Sequence, residues 1–207
     1  AYVATRVPAT FEANRAAHLT LAAVMPDFAP ETCLDIGAGP GVASWAAVAA
    51  WPSLSKLVQC EQDKSFAGLA SLLNAASDLP VLERTDVVLK SEVTLPQEIE
   101  ADLVVASYML AELPLEEMPK AAIRLWTRTR QVLLLLEPGT PQGFARLRAV
   151  RDVLVGQGGF VLAPCTHQNA CPMAVGDWCD VKTGVQRSRE HMHAKGGTVP
   201  FEDEAFA

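Results

Sequence analysis

An α/β domain, a mostly parallel sheet with helices on both faces, is what this chain predicts, and three observations carry that reading. Short apolar runs bounded by turn residues alternate with helical patterns along the chain. The first of these runs ends in a glycine-rich turn, "LDIGAGPG" at 34–41, which opens directly into a helix. At 207 residues the chain is long enough to close one hydrophobic core.

The elements follow in order. "TFEANRAAHLTLAAVM" (10–25) reads as a helix, with Phe11, Leu19, Leu21 and Val24 among its apolar positions. "TCLDIG" (32–37) is a short buried strand, and past the glycine turn the Ala-rich "VASWAAVAAW" is a helix. "KLVQCE" (56–61) is the second strand, followed by a helix over 63–76 and a short third strand near "PVLERTD" (80–86). "ADLVVAS" (101–107) is the fourth, a helix covers 115–129, and "QVLLLLEPG" (131–139) is the fifth. A helix at 141–156 stops at "GQGG", whose glycines suit a helix end. "FVLAPC" (160–165) reads as a sixth strand and "DWCDVKTGVQRS" (177–188) as a seventh. The expected sheet is therefore seven-stranded and mostly parallel, with residues 1–162 as its core and 163–207 as a Cys-rich segment with the last strand and a basic tail, all in one compact domain.

Half of the residues are hydrophobic, yet no run approaches the roughly 18 apolar residues of a membrane span, so no membrane partner is expected. No secretory leader opens the chain; a reducing compartment and free or metal-bound thiols are expected. It begins without Met inside a structured stretch, as a fragment of a longer protein would. The net charge of −7 conceals an asymmetry. Residues 1–119 hold 6 Lys/Arg against 16 Asp/Glu, whereas residues 120–195 hold 11 against 5. Such a basic block either solvates outer helix faces, through Arg124, Arg128, Arg146 and Arg148, or presents a face to phosphate.

The glycine turn carries the first chemistry. Asp35 stands at the strand end and Gly37, Gly39 and Gly41 follow, so a ligand can approach the backbone closely while the next helix offers unpaired N–H groups. A dinucleotide fingerprint would need glycine at 42, where Val42 stands, which disfavours NAD or FAD and with them an NAD-binding oxidoreductase. The D-x-G-x-G-x-G spacing resembles the cofactor loop of class I S-adenosylmethionine (SAM)-dependent methyltransferases. That resemblance implies a Rossmann-like sheet, Glu61 as acceptor for the two ribose hydroxyls, Asp86 near the adenine, and Ser107 beside Tyr108 where methyl donor and acceptor meet. No Asn-Pro-Pro-Tyr type motif follows the fourth strand, which reads "SYMLAELP", so the catalytic residues and the acceptor stay unread. A sulfonium is electrophilic enough that proximity and orientation can suffice.

Cys165, Cys171 and Cys179 fall within fifteen residues, with His167 between the first two. Thiolates so spaced can converge on one metal, which wants four ligands; His167, or a Cys beyond the chain, is a candidate fourth. Cys33 and Cys60 lie inside strands and read as core residues.

A SAM-type loop followed by this Cys segment resembles the Rsm22 family, methyltransferase-like proteins linked to the small ribosomal subunit. The resemblance includes "YVATRVPATFEA" (2–13), "LAELP" (110–114), "LLLLEPGTPQGFARLRAVRDVL" (133–154), "APCTHQNACPM" (163–173), "DWC" (177–179), "RSREHMHAKGG" and "EDEAF". It implies SAM as cofactor and an iron–sulfur cluster (4Fe-4S), or less readily zinc, on the three cysteines. It also implies small-subunit ribosomal RNA as partner, met by Arg187, Arg189 and Lys195, in the cytoplasm of a bacterium or the mitochondrial matrix of a eukaryote; the oligomeric state is not legible, a monomer being the default expectation. Two functions remain open: methyl transfer to small-subunit RNA or protein, or assembly of that subunit by an inactive protein that retains the SAM pocket and the cluster.

Overall fold

The computed structural model describes residues 2–77, 82–86, 99–174 and 176–207. Helix α1 (Tyr2–Val24) precedes β1 (Thr32–Ile36), α2 (Val42–Ala50), β2 (Lys56–Glu61), α3 (Lys64–Ala75) and β3 (Leu82–Asp86). There follow β4 (Ala101–Ser107), α4 (Met118–Trp126), β5 (Thr129–Leu136), α5 (Pro141–Gly156), β6 (Val181–Gln186), α6 (Arg189–Ala194) and β7 (Phe201–Phe206). The expected helix at 10–25 starts earlier and runs through Pro8.

Five strands form a parallel sheet in the order β3-β2-β1-β4-β5. Side-chain alternation sorts its two faces. Leu34, Ile36, Val104 and Ala106 pack with Met118, Leu125 and Val150 of α4 and α5. Cys33, Leu103 and Val105 pack with Leu21, Ala47 and Trp51 of α1 and α2. At the edge away from the glycine turn, Asp102 Oδ2 accepts hydrogen bonds from the Glu31 amide (3.0 Å), the Thr32 amide (3.0 Å) and the Thr32 hydroxyl (2.9 Å), fixing β4 beside β1.

Two expectations are corrected. Residues 160–165 form no strand: Gly158 has φ +85°, Phe160 is 79% exposed, and Pro164 lacks an amide to donate. The Cys segment therefore follows α5, not a sixth strand. Strand β6 also stands outside the main sheet, pairing antiparallel with β7 in a two-stranded ribbon, so the described residues give five parallel strands plus two instead of one seven-stranded sheet. The ribbon is tied to the sheet beyond β5, where Glu137 and Ala207 exchange backbone hydrogen bonds (2.9 and 2.8 Å) and the Gly139 amide donates to Ala205 O (3.0 Å). Among the described residues no helix is long and apolar enough to cross a membrane.

The turn between β5 and α5 is tightly built. Pro141 occupies the first turn of α5, Thr140 Oγ1 accepts from the Gly143 amide (3.1 Å), and a Cβ on Gly143 would fall inside the van der Waals envelope of Pro138 O. Gly143→Ala is expected to cost about 1–3 kcal/mol, read as a lower urea midpoint, while Gly156→Ala, whose methyl meets nothing within 4 Å, is expected not to lower it.

Candidate functional site

The strand order reverses between β1 and β4, so their carboxyl ends diverge into the crevice where open α/β sheets hold ligands. The glycine turn lines that crevice. The amides of Gly37 and Ala38 donate to Cys60 O (2.9 and 3.0 Å), folding the turn back over the end of β2. Gly37, Gly39 and Gly41 all have positive φ (71°, 54° and 87°), a conformation that excludes most side chains. A Cβ on Gly39 would meet nothing within 4 Å, so the turn faces open space there; one on Gly41 would strike the Gln59 amide. Gln59 is itself held in place: its Oε1 accepts from Asn74 Nδ2 (3.1 Å), and Asn74 Oδ1 accepts from Trp45 Nε1 (3.1 Å).

Two carboxylates organise the turn. Asp35 is buried, and its Oδ2 accepts from the Ser44 hydroxyl (2.6 Å) and amide (3.1 Å) at the start of α2. Burial pushes its pKa up to about 6 against those hydrogen bonds. Glu61 closes β2: one oxygen accepts from the Gly39 amide (2.6 Å), the other from the Asp63 amide (2.7 Å). Asp63 in turn caps α3 by accepting from the amides of Ser65 (2.7 Å) and Phe66 (3.1 Å). The Tyr2 ring lies on that of Phe66, centroids 5.2 Å apart and tilted by 54°. Burial raises the Tyr2 phenol pKa, Arg6 opposes this, and the nearby charges of Glu61 and Glu112 add to it. Asp86 ends β3 directly beside Glu61 in register.

At the end of β4, Ser107 Oγ accepts from Asn14 Nδ2 (2.9 Å), reached from α1. Tyr108 follows with φ +60°, rare for a side chain of its size, and its ring turns onto Ala13, Leu136 and Phe206. Burial raises its pKa, with Glu204 adding to the effect, so its phenol stays protonated at neutral pH. Across from Tyr108, Glu137 is fully buried. Burial raises its pKa to about 7, opposed by the neighbouring amides of Ala111 and Leu110 and by Arg146. Neither of its oxygens has a well-formed hydrogen bond among the described residues.

The structure thus brings Asp35, Gly37, Gly39, Gly41, Glu61 and Ser107 to one edge of the sheet, with Asp86 at the end of the neighbouring strand. Asn14 and Glu137 were missed by the sequence reading. Asn14 sits mid-helix without a motif, whereas Glu137 carries a signal, an acid ending an unbroken apolar strand.

The Cys segment and the basic residues are arranged otherwise than expected. Cys165 and Cys171 are half-buried and Cys179 is exposed, all as free thiols. Among the described residues no three His, Cys, Asp or Glu side chains form a group that could hold a metal ion, so neither an iron–sulfur cluster nor zinc fits these positions as they stand. Arg151 Nη2 donates to His167 O (2.9 Å) and Asn169 O (2.7 Å), and Arg148 reaches Met173 O, so α5 holds the segment by its carbonyls. Arg187 and Lys195 close on Glu202 of β7: Arg187 Nε donates at 3.1 Å and Lys195 Nζ at 2.7 Å, Arg187 Nη2 pairs with the same carboxylate, and His191 Nε2 lies 3.1 Å away. Arg189 is exposed and makes no ion pair among the described residues. Of the other arginines, Arg148 binds the Cys segment, and Arg124 and Arg128 have partners of their own.

A parallel sheet of this order, with a glycine turn after β1 and an acid closing β2, defines a Rossmann-like methyltransferase fold. Magnesium protoporphyrin IX methyltransferase from Synechocystis PCC 6803, with bound SAH, shares it at a TM-score of 0.56 and 12% identity, over 96% of this chain and 81% of that chain. The chain belongs to the Rsm22 family: the sequence model described as "Mitochondrial small ribosomal subunit Rsm22" matches residues 1–207. The Homo sapiens "Ribosome assembly protein METTL17, mitochondrial" is 32% identical over 184 residues, which are 83% of this chain and 40% of that protein. The chain thus spans less than half the length of that relative.

Glu137 binds its proton more tightly folded than unfolded, so its contribution to stability is full below about pH 4.5 and is lost as the pH rises through about 7. Glu137→Gln removes that loss. The stability of the variant relative to wild type is expected to rise by roughly 3 kcal/mol between those limits, measured by urea unfolding across pH 4–8. Glu202 behaves oppositely. Partial burial opposes its ionisation, but Lys195 and Arg187 hold its pKa down to about 2, so its stabilisation is present above about pH 4.5 and lost as the pH falls towards 2. Glu202→Gln strands two cations and is expected to cost about 3 kcal/mol at pH 7 and to lessen the acid sensitivity of the thermal midpoint.

Proposed function

We propose that this chain is the SAM-binding part of an Rsm22-family protein and that it transfers a methyl group to an RNA or protein component of the small ribosomal subunit. The observation that carries the reading is the open space over Gly39, bordered by the carboxylate of Glu61 where the strand order reverses. The residues present fit the cofactor. Gly37, Gly39 and Gly41 let it lie against the backbone, and Glu61, with one amide on each oxygen, has lone pairs left for ribose hydroxyls. SAM supplies a methyl group on a positively charged sulfur. Asp35 and Ser44 hold the turn to α2, and Ser107, oriented by Asn14, marks the side from which an acceptor would approach.

Orientation then does most of the catalytic work. A second reading, subunit assembly without transfer, is supported by the side chains at the ends of β4 and β5, where Tyr108 stays protonated and Glu137 is closed away from solvent. In either case the partner is ribosomal, in the mitochondrial matrix or the bacterial cytoplasm, and of Arg187, Arg189 and Lys195 the exposed Arg189 is the one left to meet RNA. Cys165, Cys171 and Cys179 do not fit an iron–sulfur cluster as they stand among the described residues, so no step of the transfer is routed through one. Incubation with methyl-labelled SAM and small-subunit particles is expected to label the particle, and Gly39→Arg to abolish both SAM binding and labelling. Tight SAM binding with no label in any component would sink the enzymatic reading and leave the assembly one.

A further inference from the structure

We infer that Tyr2 and Phe66 form the aromatic wall of the subsite for the cofactor's nucleoside, which makes Tyr2, at the start of α1, a cofactor-binding residue. The inference rests on the SAM reading above and adds to it a residue outside the strand-end set. Glu61 fixes a corner through Gly39 on one side and Asp63 on the other. The cap that Asp63 makes on the Phe66 amide fixes the first turn of α3, which carries the Phe66 ring, directly beyond that corner. Tyr2 then lays its ring against Phe66, 5.2 Å between centroids, close enough to Glu61 and Glu112 for their charges to reach its phenol.

A carboxylate with spare lone pairs, an open space over a side-chain-free Cα, and an aromatic pair thus border one region. These are the parts that a nucleoside with a free diol uses: hydroxyls to the carboxylate, the base stacked on an aromatic face. Tyr2 stays 44% exposed despite its partner, so part of its ring is open to a ligand. The inference also gives a role to the stretch "YVATRVPATFEA", which has none in the strand-end chemistry.

The test is calorimetric titration of the full chain with S-adenosylhomocysteine and, separately, with adenosine. Tyr2→Ala and Phe66→Ala are expected to weaken both ligands by a similar factor, about tenfold, and Tyr2→Phe to bind like wild type. Tyr2→Leu keeps apolar packing on Phe66 but removes the aromatic face, so it is expected to weaken binding at an unchanged thermal midpoint. Full affinity in Tyr2→Leu and Phe66→Ala, whatever their midpoints, overturns the inference and leaves the cofactor reading standing. If wild type binds neither ligand, both fall.

Discussion

The carboxylate of Glu61 is the joint on which the site depends. One oxygen receives the amide of Gly39, the other that of Asp63, so a single side chain couples the glycine turn after β1 to the start of α3. Without it the first half of the turn would rest on the two backbone bonds to Cys60 O, with Asp35 holding only the far side through Ser44. Carboxylate-to-amide hydrogen bonds are charge-assisted and among the stronger ones available to a protein, which suits a loop whose glycines lose so much conformational freedom on ordering. Glu61 is nearly buried, so the group that builds the turn borders the crevice from beneath it.

Charge in the second half of the molecule serves folding more than recognition. Arg148 and Arg151 bind carbonyl groups of the Cys segment, and Arg187 and Lys195 neutralise a largely buried glutamate. Guanidinium forks suit this task because several fixed donors can satisfy loop carbonyls that no sheet or helix would pair. A basic sequence block is therefore a poor guide to a basic surface when its cations are taken up by loop carbonyls and by an acid that folds back onto them.

What the sequence discloses follows from how local each signal is. The five strands of the main sheet and the glycine turn are readable because each is an apolar run with its own punctuation, and Glu61 and Ser107 follow from their places at strand ends. The fate of "FVLAPC" is not local: four apolar residues look like a strand, but a left-handed glycine before them and Pro164 directly after them leave Leu162 packed on the core. The acidic "FEDEAF" fails in the reverse direction. It has no apolar run to mark a strand, yet it is β7, because Glu202 and Glu204 on its inner face meet cations from the ends of α6 and β6 and from α1. Asn14 could not be found from spacing at all, since only the tertiary approach of α1 to β4 reveals it.

The ion pair between Arg6 and Glu204 joins residues 198 positions apart. Contacts of such separation form late, because most of the chain must be ordered before they can close. During synthesis on the ribosome the first helix therefore leaves the exit tunnel long before its partner strand exists, and the edge that α1 and the ribbon jointly cover stays open until translation has passed residue 204. The nascent domain leaves that edge unpaired for most of the time that it is being made.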